Sequence, residues 1–170
     1  MEILKAANDW AKAEVFSTQF FILFGILFLV GCVGFWQFGK TEVAKAFIIP
    51  MFVAGVLLLT IGLGLFFSNK SRVANFPDAY NSDATAFVQS EIARAEKTMN
   101  EYQTIVFKII PLIIVAAALL IVFVDKPTWR AIGITTIGMM VIIMLVDINA
   151  NARIEAYGKQ LELVEQDVGD

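Results

Sequence analysis

Few side chains in this sequence are equipped for chemistry. There is no histidine among its 170 residues, which removes the commonest general base, the commonest transition-metal ligand and the usual axial ligand of a membrane haem. The single cysteine, Cys32, lies inside an apolar run. One cysteine forms no internal disulfide, and zinc coordination through cysteine needs more ligands than this. The remaining candidates are the carboxylate of Asp147 at the end of a long uncharged run, the ammonium of Lys108, and the adjacent hydroxyls of Thr135 and Thr136 inside the same run as Asp147.

A carboxylate at the edge of an apolar run is unfavourable unless paired or solvated. Reflection across a turn at 125–127 brings Asp147 near residue 105, within one helical turn of Lys108. A Lys108–Asp147 ion pair is the first expectation; a titrating or ion-coordinating carboxylate is the functional alternative. The two threonines are expected to bond back to their own helix backbone, or to face a pore if several chains assemble. No phosphate-binding glycine loop, Ser/His/Asp set, carboxylate dyad or Cys/His cluster occurs. The expectation is therefore a non-enzyme with no catalytic residue, cofactor or metal.

The elements that hold these residues emerge from composition. The chain is 58% hydrophobic and only 17% charged, against roughly 25% charged in an ordinary soluble domain. Four stretches carry no charge: 15–39, 46–69, 109–124 and 131–146. A helix rises ~1.5 Å per residue, so a hydrocarbon core of ~30 Å takes about 20 residues. The first two stretches span unaided; the third and fourth need flanking residues, with Lys108 snorkelling toward the interface. Leu29, Val30, Gly31 and Cys32 resemble a lipobox, but the preceding segment is long and carries Glu2, Asp9 and Glu14, unlike a short basic signal n-region. The expected fold class is an all-α integral membrane protein with four transmembrane helices, the last two extended into a cytoplasmic antiparallel helical hairpin.

Orientation is set by the 13 lysines and arginines. Lys5, Lys12, Lys70, Arg72, Arg94, Lys97, Lys108, Arg153 and Lys159 fall on one side of four spans, and Lys40, Lys45, Lys126 and Arg130 on the other. That asymmetry places both termini in the cytoplasm of an inner (plasma) membrane, with short outer turns near 40–45 and 125–130. Trp36 and Trp129 stand where outer-interface aromatics are expected.

The domain reading is an amphipathic interfacial helix over 1–14 (Ile3, Leu4, Ala7, Trp10, Ala11), a transmembrane hairpin over 15–69, a cytoplasmic loop over 70–83, and a long helical hairpin over 84–168. Asn75, Pro77, Asp78, Asn81 and Ser82 are the turn residues of that loop, and Ser82 or Asp83 is the N-cap of the next helix. Val88, Ile92, Ala95, Met99, Tyr102, Val106 and Ile109 recur with heptad spacing, as do Ala150, Ile154, Tyr157, Leu161, Val164 and Val168. Lys97–Glu101 and Glu155–Lys159 are opposite charges four apart. Pro111 is expected to kink the third span near Phe107–Lys108, whereas Pro50 sits in a first helical turn, where proline is tolerated. Gly25, Gly31, Gly34, Gly55, Gly62 and Gly64 allow close helix approach without a Gly-xxx-Gly repeat.

The layout of two plain spans followed by two long ones resembles proton-driven stator units in topology alone, which does not carry function with it. The leading expectation is a non-catalytic subunit or scaffold of a membrane complex. Its partners are the lipid bilayer and either copies of itself (a homo-oligomer) or another membrane protein; nucleic acid is not among them. Alternatives are an oligomeric ion channel or ion-conducting unit, and an immunity-type membrane protein.

Overall fold

The computed structural model describes the backbone of residues 2–169 and the side chains of residues 2–164. Within it the chain is almost entirely helical: α1 (Glu2–Phe38), the short α2 (Glu42–Ala46), α3 (Ile48–Ser82), α4 (Ala84–Thr104), a π-helical turn (Ile105–Ile109), α5 (Ile110–Phe123) and α6 (Pro127–Gly169). Four helical segments, counting α4 and α5 as one, are long and apolar enough to cross a membrane. The 43 residues of α6 extend about 65 Å at 1.5 Å each, about twice the thickness of a hydrocarbon core. Each long helix thus has an apolar half and a polar half.

The apolar half carries its large side chains outward. Val30, Val33, Phe52, Leu112, Val122 and Phe123 are all exposed, a distribution suited to lipid rather than water. Its small core consists of Phe21, Ala54, Leu58 and Met139, with Phe24, Phe28 and Met140 packed against it. α1 and α3 lie closest together, and Gly25 and Gly55 explain why. A Cβ built on Gly25 would sit 3.0 Å from the Leu59 amide nitrogen and 3.1 Å from the Gly55 carbonyl, and one on Gly55 would sit 3.0 Å from the Gly25 carbonyl. Gly34 and Gly64 face open space and take no part in this approach.

α6 is the hub: it packs against α1, α3, α4 and α5, whereas α5 touches neither α1 nor α3. Gly133 sets the α5–α6 distance, since a Cβ there would lie 2.6 Å from Ile121 Cγ1 and 3.0 Å from the Ala117 carbonyl. A Gly133→Val substitution is expected to force these helices apart and destabilise the protein by about 1–3 kcal/mol, the range for overpacking. Gly34→Val, in open space, is the matched control, and thermal unfolding in detergent reads both. At this end of the bundle Thr41 caps α2 by accepting from the Ala44 amide at 3.1 Å. An exposed Arg130–Asp125 ion pair at 3.0 Å adds little.

The polar half has its own core: Ile3, Ala7, Trp10, Ala11, Phe76, Phe87, Val88, Ala95, Ile154, Tyr157 and Leu161. This corrects the reading of 1–14 as a separate interfacial helix. α1 runs unbroken from Glu2 to Phe38, and the apolar face of its first turns is buried against protein rather than laid on a lipid surface. The loop expected over 70–83 is also corrected, because α3 continues to Ser82 with Pro77 inside it. An interior proline costs ~3 kcal/mol, but Val73, Phe76 and Tyr80 fall on one face and join this core. Phe76 and Tyr80 meet Phe87 edge to face at 5.4 and 5.7 Å between ring centres, and burying a large apolar side chain is worth ~1.5–3 kcal/mol. The reversal into α4 needs only Asp83, whose carboxylate accepts from the Ala86 amide at 2.9 Å.

Pro111 lies at the start of α5, and the disturbance expected at Phe107–Lys108 takes the form of the π turn. A π turn inserts one residue into the helical repeat. Ile110 is therefore 3% exposed while Ile109, on the extrapolated seam, is 44% exposed. Before this shift the seam positions Val88, Ala95 and Val106 are buried, and Ile92, Met99 and Tyr102 pack at the edge of the core. On α6, Ala150, Ile154, Tyr157 and Leu161 are buried and Val164 packs against them. Gly158 faces Ala95 and Met99 at 3.9 and 3.5 Å. Val168 lies outside the residues whose side chains are described. Of the two spaced charge pairs, Lys97 and Glu101 approach at 3.9 Å, while Glu155 accepts from Asn151 Nδ2 at 2.6 Å.

Candidate functional site

A layer of buried polar side chains stands where the apolar half gives way to the polar half. Glu14 on α1, 8% exposed, accepts from Nε of Arg153 on α6 at 3.0 Å. The same guanidinium donates through Nη2 to the Ser17 hydroxyl at 2.7 Å. One helical turn further along α6, the Tyr157 hydroxyl donates to Glu91 Oε2 on α4 at 3.0 Å. Glu91, 5% exposed, also accepts a two-point bond from Arg94, with Nε at 3.0 Å and Nη2 on the other oxygen. Burial and the neighbouring Glu91 charge raise the Tyr157 hydroxyl well above its ordinary range, so it stays protonated and serves as a donor.

Trp10 sits in the middle of this layer. Its indole stacks on Tyr157 at 5.5 Å with an interplanar angle of 11°. The Arg94 guanidinium covers the ring at 4.1 Å from its centre, and Arg72 stands at 5.9 Å. Arg72 itself donates to the buried Asn69 side chain. The layer joins α1, α4 and α6 through charge-assisted bonds, the stronger class of hydrogen bond. Burying both ions of a pair costs several kcal/mol, which offsets much of their mutual attraction, whereas removing one partner alone leaves an uncompensated buried charge.

Beside the layer lies a cavity of about 310 Å³ whose walls come from α1, α3, α4, the π turn and α6. Phe21, Leu65 and Val146 line its apolar side, and Trp10, Glu14, Arg72, Arg94 and Asp147 its polar side. Asp147 therefore belongs to this cavity. Among the described residues no ion pair joins it to Lys108, which is exposed; Lys108 lies on the far side of its helix from the seam position Val106, which is buried. Tyr102 also lines the cavity.

Thr135 and Thr136 line a different cavity, of about 590 Å³, with Lys45, Pro50, Pro127 and Met139. Thr18 and Thr60 bond back to Val15 and Val56 carbonyls at 2.9 and 2.8 Å, as hydroxyls within helices commonly do. Thr135, by contrast, is 5% exposed beside its cavity. Phe21, Ala54, Leu58 and Met139 fill the space between the two cavities. The structure thus separates the threonines from Asp147.

Asp147 stands out in the sequence, whereas Glu14, Glu91, Arg94 and Arg153 read there as ordinary surface charges. One signal was available for three of them. Glu91 and Arg94 flank the seam positions Ile92 and Ala95, and Arg153 precedes Ile154, so all three sit beside a buried stripe. Among the described residues no group of three or more carboxylates or cysteines converges to hold a metal; the buried carboxylates Glu14 and Glu91 are matched with arginines instead. Comparison with protein-family models, with curated proteins and with solved structures gives no match.

Proposed function

We propose that the chain is a multi-pass inner-membrane protein with both termini in the cytoplasm, acting as a non-catalytic subunit or scaffold of a membrane complex. The observation that carries this reading is the continuation of all four apolar helices into one shared polar-half core, cross-tied by Glu14–Arg153 and Glu91–Arg94. Such an arrangement makes a rigid platform on one side of the bilayer, joined to its spans without a hinge loop. The distribution of lysine and arginine supports the cytoplasmic assignment. α5, which leans on α6 alone and exposes Leu112, Val115, Leu119 and Val122, offers a surface in the plane of the membrane for a second copy or another spanning helix. The conducting alternative has less support, because Thr135 and Thr136 open into a different cavity from Asp147.

The test is the mass of the full-length protein extracted from membranes into nanodiscs, with co-purifying proteins identified. A defined hetero-complex or closed homo-oligomer is the expected result. A strict monomer without partners would contradict it.

A further inference from the structure

Two charged side chains in the cavity beside the polar layer differ from the rest. Glu14 is held by Arg153, and Arg94 by Glu91. Among the described residues Arg72 has no carboxylate within ion-pair distance, and Asp147 has neither an ion pair nor a hydrogen bond, yet both line the same 310 Å³ space. Trp10 also lines it; its indole N–H is buried with no acceptor, on a residue only 8% exposed. A buried donor without an acceptor is uncommon in a folded protein. One wall therefore offers a cation, and another a carboxylate.

The cavity is placed and shaped for an amphiphile. Arg72 lies three residues, about 4.5 Å along the helix, beyond the last residue of the uncharged run 46–69, and Asp147 directly follows the run 131–146. Both therefore sit at headgroup depth if those runs cross the bilayer. The rim includes Leu65 on α3 and Ile105 in the π turn, apolar side chains that are 41% and 48% exposed. α5 makes no close approach to α3.

We propose that this cavity holds the headgroup of a membrane phospholipid carrying both a phosphate and a primary ammonium, with its acyl chains leaving past the exposed Leu65 and Ile105. The phosphate accepts from Arg72, and the ammonium donates to Asp147. A trimethylammonium headgroup has no N–H for Asp147, and a glycerol headgroup has no cation. The inference rests on the membrane reading above.

The test uses native mass spectrometry of the full-length protein in detergent, titrated separately with phosphatidylethanolamine, phosphatidylcholine, phosphatidylglycerol and soluble glycerophosphoethanolamine. Phosphatidylethanolamine is expected to bind about tenfold more tightly than the other two lipids, the factor that ~1.4 kcal/mol of charge-assisted bonding supplies. Asp147→Asn, nearly isosteric, is expected to abolish the difference between phosphatidylethanolamine and phosphatidylcholine. Arg72→Gln is expected to weaken all three lipids about tenfold, and Arg72→Lys, which keeps the charge, to retain binding. Equal binding of the three lipids by the unaltered protein would overturn the proposal, as would a phosphatidylethanolamine preference that survives in Asp147→Asn or lipid binding that is undiminished in Arg72→Gln. Displacement of lipid by an equal concentration of glycerophosphoethanolamine would also overturn it, by assigning the cavity to a free small molecule. Protein absent from the membrane fraction would defeat the membrane reading itself, whereas membrane protein without lipid preference defeats only this inference.

Discussion

Replacing Arg153 with Met is expected to destabilise the protein by about 3–5 kcal/mol, the range for breaking one half of a buried ion pair. Glu14 is only 8% exposed, and Arg153 donates to it at 3.0 Å while also satisfying Ser17 at 2.7 Å. Without the guanidinium, a buried carboxylate and a hydroxyl are left without that partner. For a chain of this size the loss corresponds to a fall in Tm of about 10 °C. The double variant Arg153→Met with Glu14→Gln removes both charges together and is expected to recover most of the stability, because the desolvation penalty goes with them. Thermal unfolding in detergent of the two single variants and the double variant gives the coupling directly. Equal loss in the double and single variants would show that the pair matters for packing rather than charge.

Trp10→Ala is expected to cost about 3–5 kcal/mol, as for other buried aromatic truncations. The indole is stacked on Tyr157 and capped by Arg94, so its loss opens a void and removes the cation–π contact. Trp10→Phe keeps a ring for both neighbours and eliminates an indole N–H that has no acceptor; it is expected to cost less than about 1.5 kcal/mol. The ratio of the two effects, from unfolding midpoints of lipid-free protein, separates stacking from simple volume. Similar losses in both variants would mean that the stack on Tyr157 contributes little.

Arg153, Glu14 and Trp10 were only partly legible in the sequence. The apolar helices were legible, because runs such as 15–39 and 46–69 without a charge have few folds other than helix in an apolar setting. The cap was legible to within one residue, Ser82 or Asp83, since a short polar side chain before an apolar-periodic segment has a local mechanism, and Asp83 fills the role. The burial of Val88, Ala95, Ile154, Tyr157 and Leu161 agreed with their heptad spacing. Helix over 70–82 was not legible, because Pro77 and Asn81 are turn formers by local preference and only contacts with Phe87, across the bend, outweigh that preference. The interfacial reading of 1–14 failed for a related reason: an amphipathic face does not declare whether lipid or protein covers it. The shift from Ile109 to Ile110 was hidden because a π turn leaves no mark in the heptad pattern upstream of it. Glu14 and Arg153 meet across 139 positions, and nothing local joins them.

The platform depends on α4 and the polar half of α6 closing on each other within one chain. A Cβ at Gly158 would lie 3.9 Å from the Ala95 Cβ, close to the ~3.8 Å typical of a disulfide. The most direct measurement is therefore oxidation, in native membranes, of a chain carrying Ala95→Cys and Gly158→Cys with Cys32→Ser. Intramolecular closure predicts a cross-linked monomer that runs with altered mobility on a non-reducing gel and reverts on reduction. Disulfide-linked dimers in place of that species, or no cross-link at all, would contradict it.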